Sequence, residues 1–207
     1  MSDLVEKISQ TAYELFHRFG IRSVSMDDIA RELSISKKTI YQYFKDKDEM
    51  VTHGVMRHIE REINEFTGVL EKSNNAVLEL VNLSTCIKRN MKKINPSMLF
   101  DLQKFHPEAW TKWLEFKNDF IKKTVLEVIR RGKKEGYFRS DVNEEMMAIY
   151  RIETIELTFN QTIFPQHEWD FVEVQLALMD HFLRGMMTIK GIEYYEELHN
   201  SINNENI

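Results

Sequence analysis

Residues 25–50 read SMDDIARELSISKKTIYQYFKDKDEM, and the rest of the chain is organised around them. They spell two short helices joined by a tight turn. Ser25 can cap the first, and Asp28 three places on completes a Ser-x-x-acid capping box. Met26, Ile29, Ala30 and Leu33 recur at helical spacing, so one side of this helix is apolar. Ser34-Ile35-Ser36 interrupts it. Ser36 can cap a second helix, Lys37 to Phe44, which turns Ile40 and Phe44 inward at i and i+4. Its outward side chains, Lys37, Lys38, Thr39, Tyr41, Gln42 and Tyr43, all donate hydrogen bonds and none is acidic. A short helix buried on one side and presenting donors on the other suits a DNA major groove. The same pattern also fits an ordinary helical hairpin with a solvated basic face.

Gly20, Ser25, Asp28-Ile29-Ala30, Ser36, Thr39, Tyr41, Phe44 and Lys47 stand in a fixed register. In it the chain resembles the N-terminal helix-turn-helix signature of the tetracycline-repressor (TetR/AcrR) family, over residues 4–52. The resemblance implies an all-α protein of about nine helices in its larger part. Residues 1–47 would form a three-helix DNA-binding domain and residues 48–207 a helical regulatory and dimerisation domain. It also implies phosphate contacts from Ser25, Ser36, Tyr43 and Lys47. Base contacts, made or supported, would come from Lys37, Lys38, Thr39, Tyr41 and Gln42. Two positions depart from the pattern. The family usually has Gly where Ser34 stands, because the turn favours a left-handed backbone; Ser there costs roughly 1 kcal/mol. It often has His where Tyr43 stands, and Tyr keeps a donor but cannot gain a positive charge.

The chain has 207 residues, 43% of them hydrophobic, enough for a core of ordinary size. Three prolines, seven glycines and no alternating apolar run argue against strands. No apolar stretch approaches the ~18 residues of a membrane span, and the N-terminus lacks a signal-peptide layout. Cys86 is alone, which excludes an intrachain disulfide and agrees with a reducing cytoplasm. The net charge of −5 is uneven. Residues 1–47 hold eight Lys/Arg against seven Asp/Glu, and residues 34–47 hold four lysines against Asp46 alone. A basic patch on an acidic body directs binding to one end of a molecule.

Outward from the motif, Leu4, Ile8, Ala12, Leu15, Phe16 and Phe19 form the stripe of an amphipathic helix over 3–19, closed by Gly20. A long helix runs from Lys47 to about Glu71. Others are expected from Ala76 to Ile94, through Phe105 after Pro96, and from Glu108 to Arg131. Two more run from the Asn143 cap to Phe164 and from Glu168 to Ile189, before a short terminal helix. Arg130, Arg131, Lys133 and Lys134 read as cations offsetting a helix C-terminus rather than as a second nucleic-acid patch.

The two late helices are apolar on more than one face, so each needs two partners. Ile155, Phe159, Leu178, Phe182 and Met186 are therefore candidates for a homodimer interface, and the resemblance implies a four-helix bundle between subunits there. Phe100, Phe105, Trp110, Trp113, Phe116 and Phe120 concentrate six rings in 21 residues beside Met91 and Met98. Of these, Met91, Met98, Phe100, Trp110, Trp113, Phe116 and Phe120 are candidates for a pocket taking an apolar or aromatic small molecule. No catalytic motif, cofactor loop or metal-ligand spacing occurs; His53 and His58 lie about 140° apart around a helix. The expectation is a homodimeric, ligand-relieved repressor on operator DNA, needing no cofactor, metal or membrane. A helical enzyme or small-molecule binder with a vestigial DNA unit, or an activator answering to a protein partner, stays open.

Overall fold

The computed structural model describes residues 3–91, 95, 97–165 and 167–204; the side chains of Met91 and of residues 201–204 lie outside that description. The described residues are all-α, with one isolated antiparallel bridge between Phe138 and Met187. The chain divides into two compact units. One comprises Met1–Glu62 and Lys93–Phe116, the other Ile63–Lys92 and Lys117–Ile207. The first includes the expected 1–47 domain whole and adds to it the start of the long helix and a later segment.

In the first unit, α1 (Asp3–Phe19) buries Ile8, Ala12, Tyr13 and Phe16 along one face. It stops at Gly20, whose φ of +82° suits a residue without a Cβ; a Cβ there would also meet Ser97 Oγ at 2.8 Å. Helices α2 (Met26–Glu32) and α3 (Lys37–Tyr41) pack with α1 and with the first turns of α4 (Lys47–Lys72). Ile21, Ile29, Ile40 and Met50 are fully buried between them, and Phe44 nearly so. Each such side chain contributes about 1.5–3 kcal/mol by leaving water. Helices α6 (Ser97–Phe105) and α7 (Pro107–Glu115) close the same core with Met98, Leu102 and Ala109.

In the second unit, α5 (Ala76–Met91), α8 (Lys122–Lys134), α9 (Glu144–Leu157), α10 (Phe171–Met186) and α11 (Ile189–Asn204) surround Val77, Leu80, Ile129, Ile152, Met179 and Leu183. The expected single helix from Glu108 to Arg131 is interrupted by a π-helical turn at Phe116–Ile121. That wider turn lets adjacent Phe116 and Lys117 both be buried, and Lys117 pairs there with Glu153 and Glu156. Helix α9 stops seven residues short of the expected Phe164. The Asn160 side chain accepts the Thr162 amide and its carbonyl accepts the Ile163 and Phe164 amides, so turns replace the helix. Helix α10 starts late because Asp170 caps it, accepting the Glu173 amide at 2.9 Å.

The basic run at the end of α8 is absorbed by ion pairs. Arg130 meets Glu144 at 2.8 Å, Lys133 meets Glu144 at 3.2 Å, and Arg131 pairs with buried Glu79. The loop after it is clipped to the α10–α11 junction. Arg139 N donates to Met186 O at 2.8 Å and Thr188 N to Tyr137 O at 2.9 Å. Lys190 Nζ sits 4.3 Å from the Tyr137 ring centroid, and a Cβ on Gly191 would stand 2.2 Å from Tyr137 O.

Candidate nucleic-acid interface

The backbone of the motif is set by small polar groups. Ser25 completes the capping box: its Oγ accepts the Asp28 amide at 3.2 Å while Asp28 Oδ2 accepts the Ser25 amide at 2.9 Å. Bonds from the Ser25 hydroxyl and amide hold the Asp28 carboxyl below its ordinary value. Ser34 takes φ +54°, the left-handed geometry expected of a position that favours Gly, and the Ile35 amide reaches Ala30 O at 3.0 Å. Ser36 caps α3 through the Thr39 amide at 3.0 Å.

Helix α3 ends at Tyr41, three residues earlier than expected, although the Phe44 amide still bonds Ile40 O at 3.0 Å and keeps Phe44 inward. The outward side chains fall into two groups. Lys38, Tyr41, Gln42 and Tyr43 are exposed. Lys37, exposed as well, is held at 2.8 Å by Asp27, which raises its pKa, and half-buried Thr39 shares a 2.8 Å hydroxyl contact with Ser36. Lys47 differs from both. Its ammonium donates to Ile21 O at 2.6 Å and lies 5.7 Å from the Phe16 ring, and desolvation lowers its pKa against the opposing pull of Asp101 and Asp48. It therefore ties the chain leading into α2 to the start of α4.

Two further anchors escaped the sequence reading. Buried Asp101 accepts the Arg22 amide at 3.2 Å, and buried His106 Nδ1 lies 2.7 Å from Asp48 Oδ1. The Asn95 amide also bonds His17 O at 2.7 Å. Segment 95–110 thus braces both ends of the motif. The signal for it was a charged residue inside an apolar stretch, Met98-Leu99-Phe100-Asp101-Leu102.

The residues expected to line a pocket are divided between the two units. Met98 belongs to the first unit's core, Phe100 is exposed, and Trp110 stacks on Trp113 with centroids 4.9 Å apart. Phe116 is buried, Phe120 stacks on Phe66 in the second unit, and Met91 falls outside the described side chains. Among the expected dimer residues, Ile155, Phe159 and Leu178 are partly exposed, but Phe182 and Met186 are buried within the chain's own second unit. The outward apolar residues of α9 are instead Met146, Ile149, Tyr150 and Leu157. Among the described residues no group of three His, Cys, Asp or Glu could hold a metal, and no helix is long and apolar enough to cross a membrane.

Residues 8–53 match the family model described as bacterial regulatory proteins, tetR family. The chain is 27% identical over 192 residues to YvaF of Bacillus subtilis strain 168, an uncharacterized HTH-type transcriptional regulator, covering 87% of this chain and 94% of that one. Among solved structures, a Saccharomonospora viridis protein in complex with choline aligns with TM-score 0.75 at 21% identity, covering 91% of this chain and all of that one. A TetR-family transcriptional regulator from Agrobacterium tumefaciens aligns with TM-score 0.70 at 17% identity, covering 89% and 97%. These two likenesses concern the fold.

Proposed function

We propose that this chain, whose residues 8–53 match the tetR family model, is a DNA-binding transcriptional regulator of that family, acting as a homodimeric repressor released from its operator by a small organic effector. The observation that carries the reading is α3 itself. Ile40 anchors it in the core while Lys38, Tyr41, Gln42 and Tyr43 stand exposed, donors all. Gln42 suits an adenine edge and Lys38 a guanine; Tyr43 and the capped serines suit phosphates. Two such helices in a dimer would enter successive major grooves of an inverted repeat about one helical turn apart.

Dimerisation would use α9 and α10, with Met146, Ile149 and Leu157 as the exposed apolar contribution beside Ile155 and Leu178. Lys47 would position the motif rather than meet phosphate, since its ammonium is engaged by Ile21 O. Effector binding in residues 48–207 would favour a conformation with lower operator affinity, which requires tighter binding to that state than to the DNA-bound one. The cytoplasm is the compartment where this activity would be exercised.

Selection from random duplex DNA by the purified protein, at two salt concentrations, tests the reading. Recovery of one short inverted repeat supports a dimeric operator reader. Recovery of no motif, with binding that vanishes at physiological salt, refutes it.

A further inference from the structure

Arg151 lies on the inner side of α9 with 3% of its surface exposed. A guanidinium does not give up its charge at neutral pH, so burial of this kind calls for a counter-charge. Among the described residues no carboxylate pairs with it. Its contacts are with neutral groups alone. Nη1 reaches Thr154 Oγ1 at 3.5 Å; with the Gln175 amide assigned so that its oxygen rather than its nitrogen faces the guanidinium, which alone satisfies both, that oxygen accepts from Nη2 at 2.8 Å and Nη1 at 3.3 Å. The Gln175 nitrogen in turn donates to Thr158 Oγ1 at 3.3 Å. Thr154 and Thr158 spend their own hydroxyl protons on the Arg151 and Ile155 carbonyls, at 2.8 Å each. The four side chains, all buried, thus form a polar island between α9 and α10 that carries a full positive charge. Desolvation with no opposing carboxylate lowers the Arg151 pKa to about 10. Two other buried or half-buried cations of this unit are matched, Lys117 by Glu153 and Glu156, and Arg131 by Glu79.

We propose that Arg151 is the anchor of an effector site for an organic anion, a carboxylate on an apolar body, whose oxygens replace the Gln175 amide oxygen on the guanidinium. The geometry suits a planar carboxylate, because two guanidinium nitrogens already converge on one acceptor and can serve two. The apolar body follows from the surroundings: Phe171 and Met179 lie one turn either side of Gln175 on the buried face of α10. Displacing Gln175 would loosen its link to Thr158 and so alter how α10 rests on α9. This site deepens the effector reading above and rests on it only for its regulatory meaning. A quaternary ammonium such as choline is disfavoured here by like charge.

The test uses acetate, hexanoate, octanoate and benzoate, each beside its primary amide, with titration calorimetry on the full chain. At least one acid is expected to bind about tenfold or more tightly than its amide, the ratio a charge-assisted pair supplies. Arg151→Met removes the charge at similar length and is expected to bring that ratio to about one. Gln175→Glu supplies an internal counter-charge, so it is expected to erase the preference while raising the melting temperature of the unliganded protein. The Gln175→Glu variant keeps the test decisive if Arg151→Met does not fold. Equal affinity of every acid and amide in the unmodified protein overturns the proposal, as does a preference that survives in both variants. Operator release is read separately: an acid that binds through Arg151 but leaves the operator complex intact upholds the site and removes ligand-relieved repression.

Discussion

Ser34 is the place where a single substitution reports most directly on the motif. Its φ of +54° lies in the left-handed region, which costs a residue with a Cβ about 1–2 kcal/mol. Ser34→Gly removes that cost and adds the larger unfolded-state freedom of glycine, roughly 0.5–1 kcal/mol. The net is a stabilisation of about 0.5–1 kcal/mol, or about 1–4 °C in melting temperature for a chain of this size. Urea unfolding followed by tryptophan emission suits the measurement, because Trp110 and Trp113 belong to the same unit as Ser34 and are stacked in the native state. Ser34→Ala keeps the Cβ and is the control; its midpoint should move by no more than a few tenths of a kcal/mol. Operator affinity should change little in either variant, since the turn already has the geometry glycine prefers. A Ser34→Gly protein less stable than the parent, or an alanine variant stabilised as much, would refute the strain argument.

Four other outcomes follow from the same physics. Lys38→Ala should relax operator discrimination at the guanine it reads by about 1–3 kcal/mol in competition binding, whereas Lys47→Ala should leave the salt slope of binding alone and cost about 1–3 kcal/mol of stability by stranding the Ile21 carbonyl. Ser25→Ala should cost about 1 kcal/mol at neutral pH through the lost cap. It should also alter the acid limb: Asp28 is held below its ordinary 3.8, so its contribution is complete above that value and is lost as pH falls through the lower folded value. The variant's stability should therefore depend less on pH below about 4 in an acid titration of the unfolding midpoint. Gly132→Ala would put a Cβ 2.3 Å from the buried Phe138 ring and should destabilise the second unit by about 1–3 kcal/mol in thermal denaturation. Ile149→Glu should yield folded monomers in sedimentation, while Phe182→Glu should unfold the second unit; an intact Ile149→Glu dimer would remove α9 from the interface.

Much of the reading head was legible because local chemistry decides it. Ser25, Ser36 and Gly20 act within three or four residues of themselves, so their roles follow from spacing alone. The left-handed Ser34 was to be expected only through the family resemblance, which places Gly at that turn. What the sequence hid was non-local. A run of helix formers from Glu108 to Arg131 carries no mark of a π turn, because the ion pairs of Lys117 come from residues more than thirty positions away. Periodicity likewise found the apolar faces of α10 but not which face stays inside, so Phe182 and Met186 read as interface when they are core. Arg151 was overlooked because the neighbouring apolar residues dominated the pattern. A lone charge one turn from Ala148 and Ile155 was the signal.

The clip between residues 137–139 and 186–188 has a consequence for anyone who would lengthen or cut this chain. Glycine, charge and exposure make the stretch around Gly136 look like the natural point for a grafted tag or a protease site. The Gly136 and Tyr137 carbonyls, which accept from Thr188, and the Arg139 amide, which donates to Met186 O, are nonetheless committed to partners about fifty residues away, and the Arg139 and Thr188 amides should exchange with deuterium only when the second unit opens as a whole. An insertion there would separate α8 from α11 rather than decorate a surface. The stretch 160–164, whose described hydrogen bonds are satisfied among near neighbours, is the better place to graft.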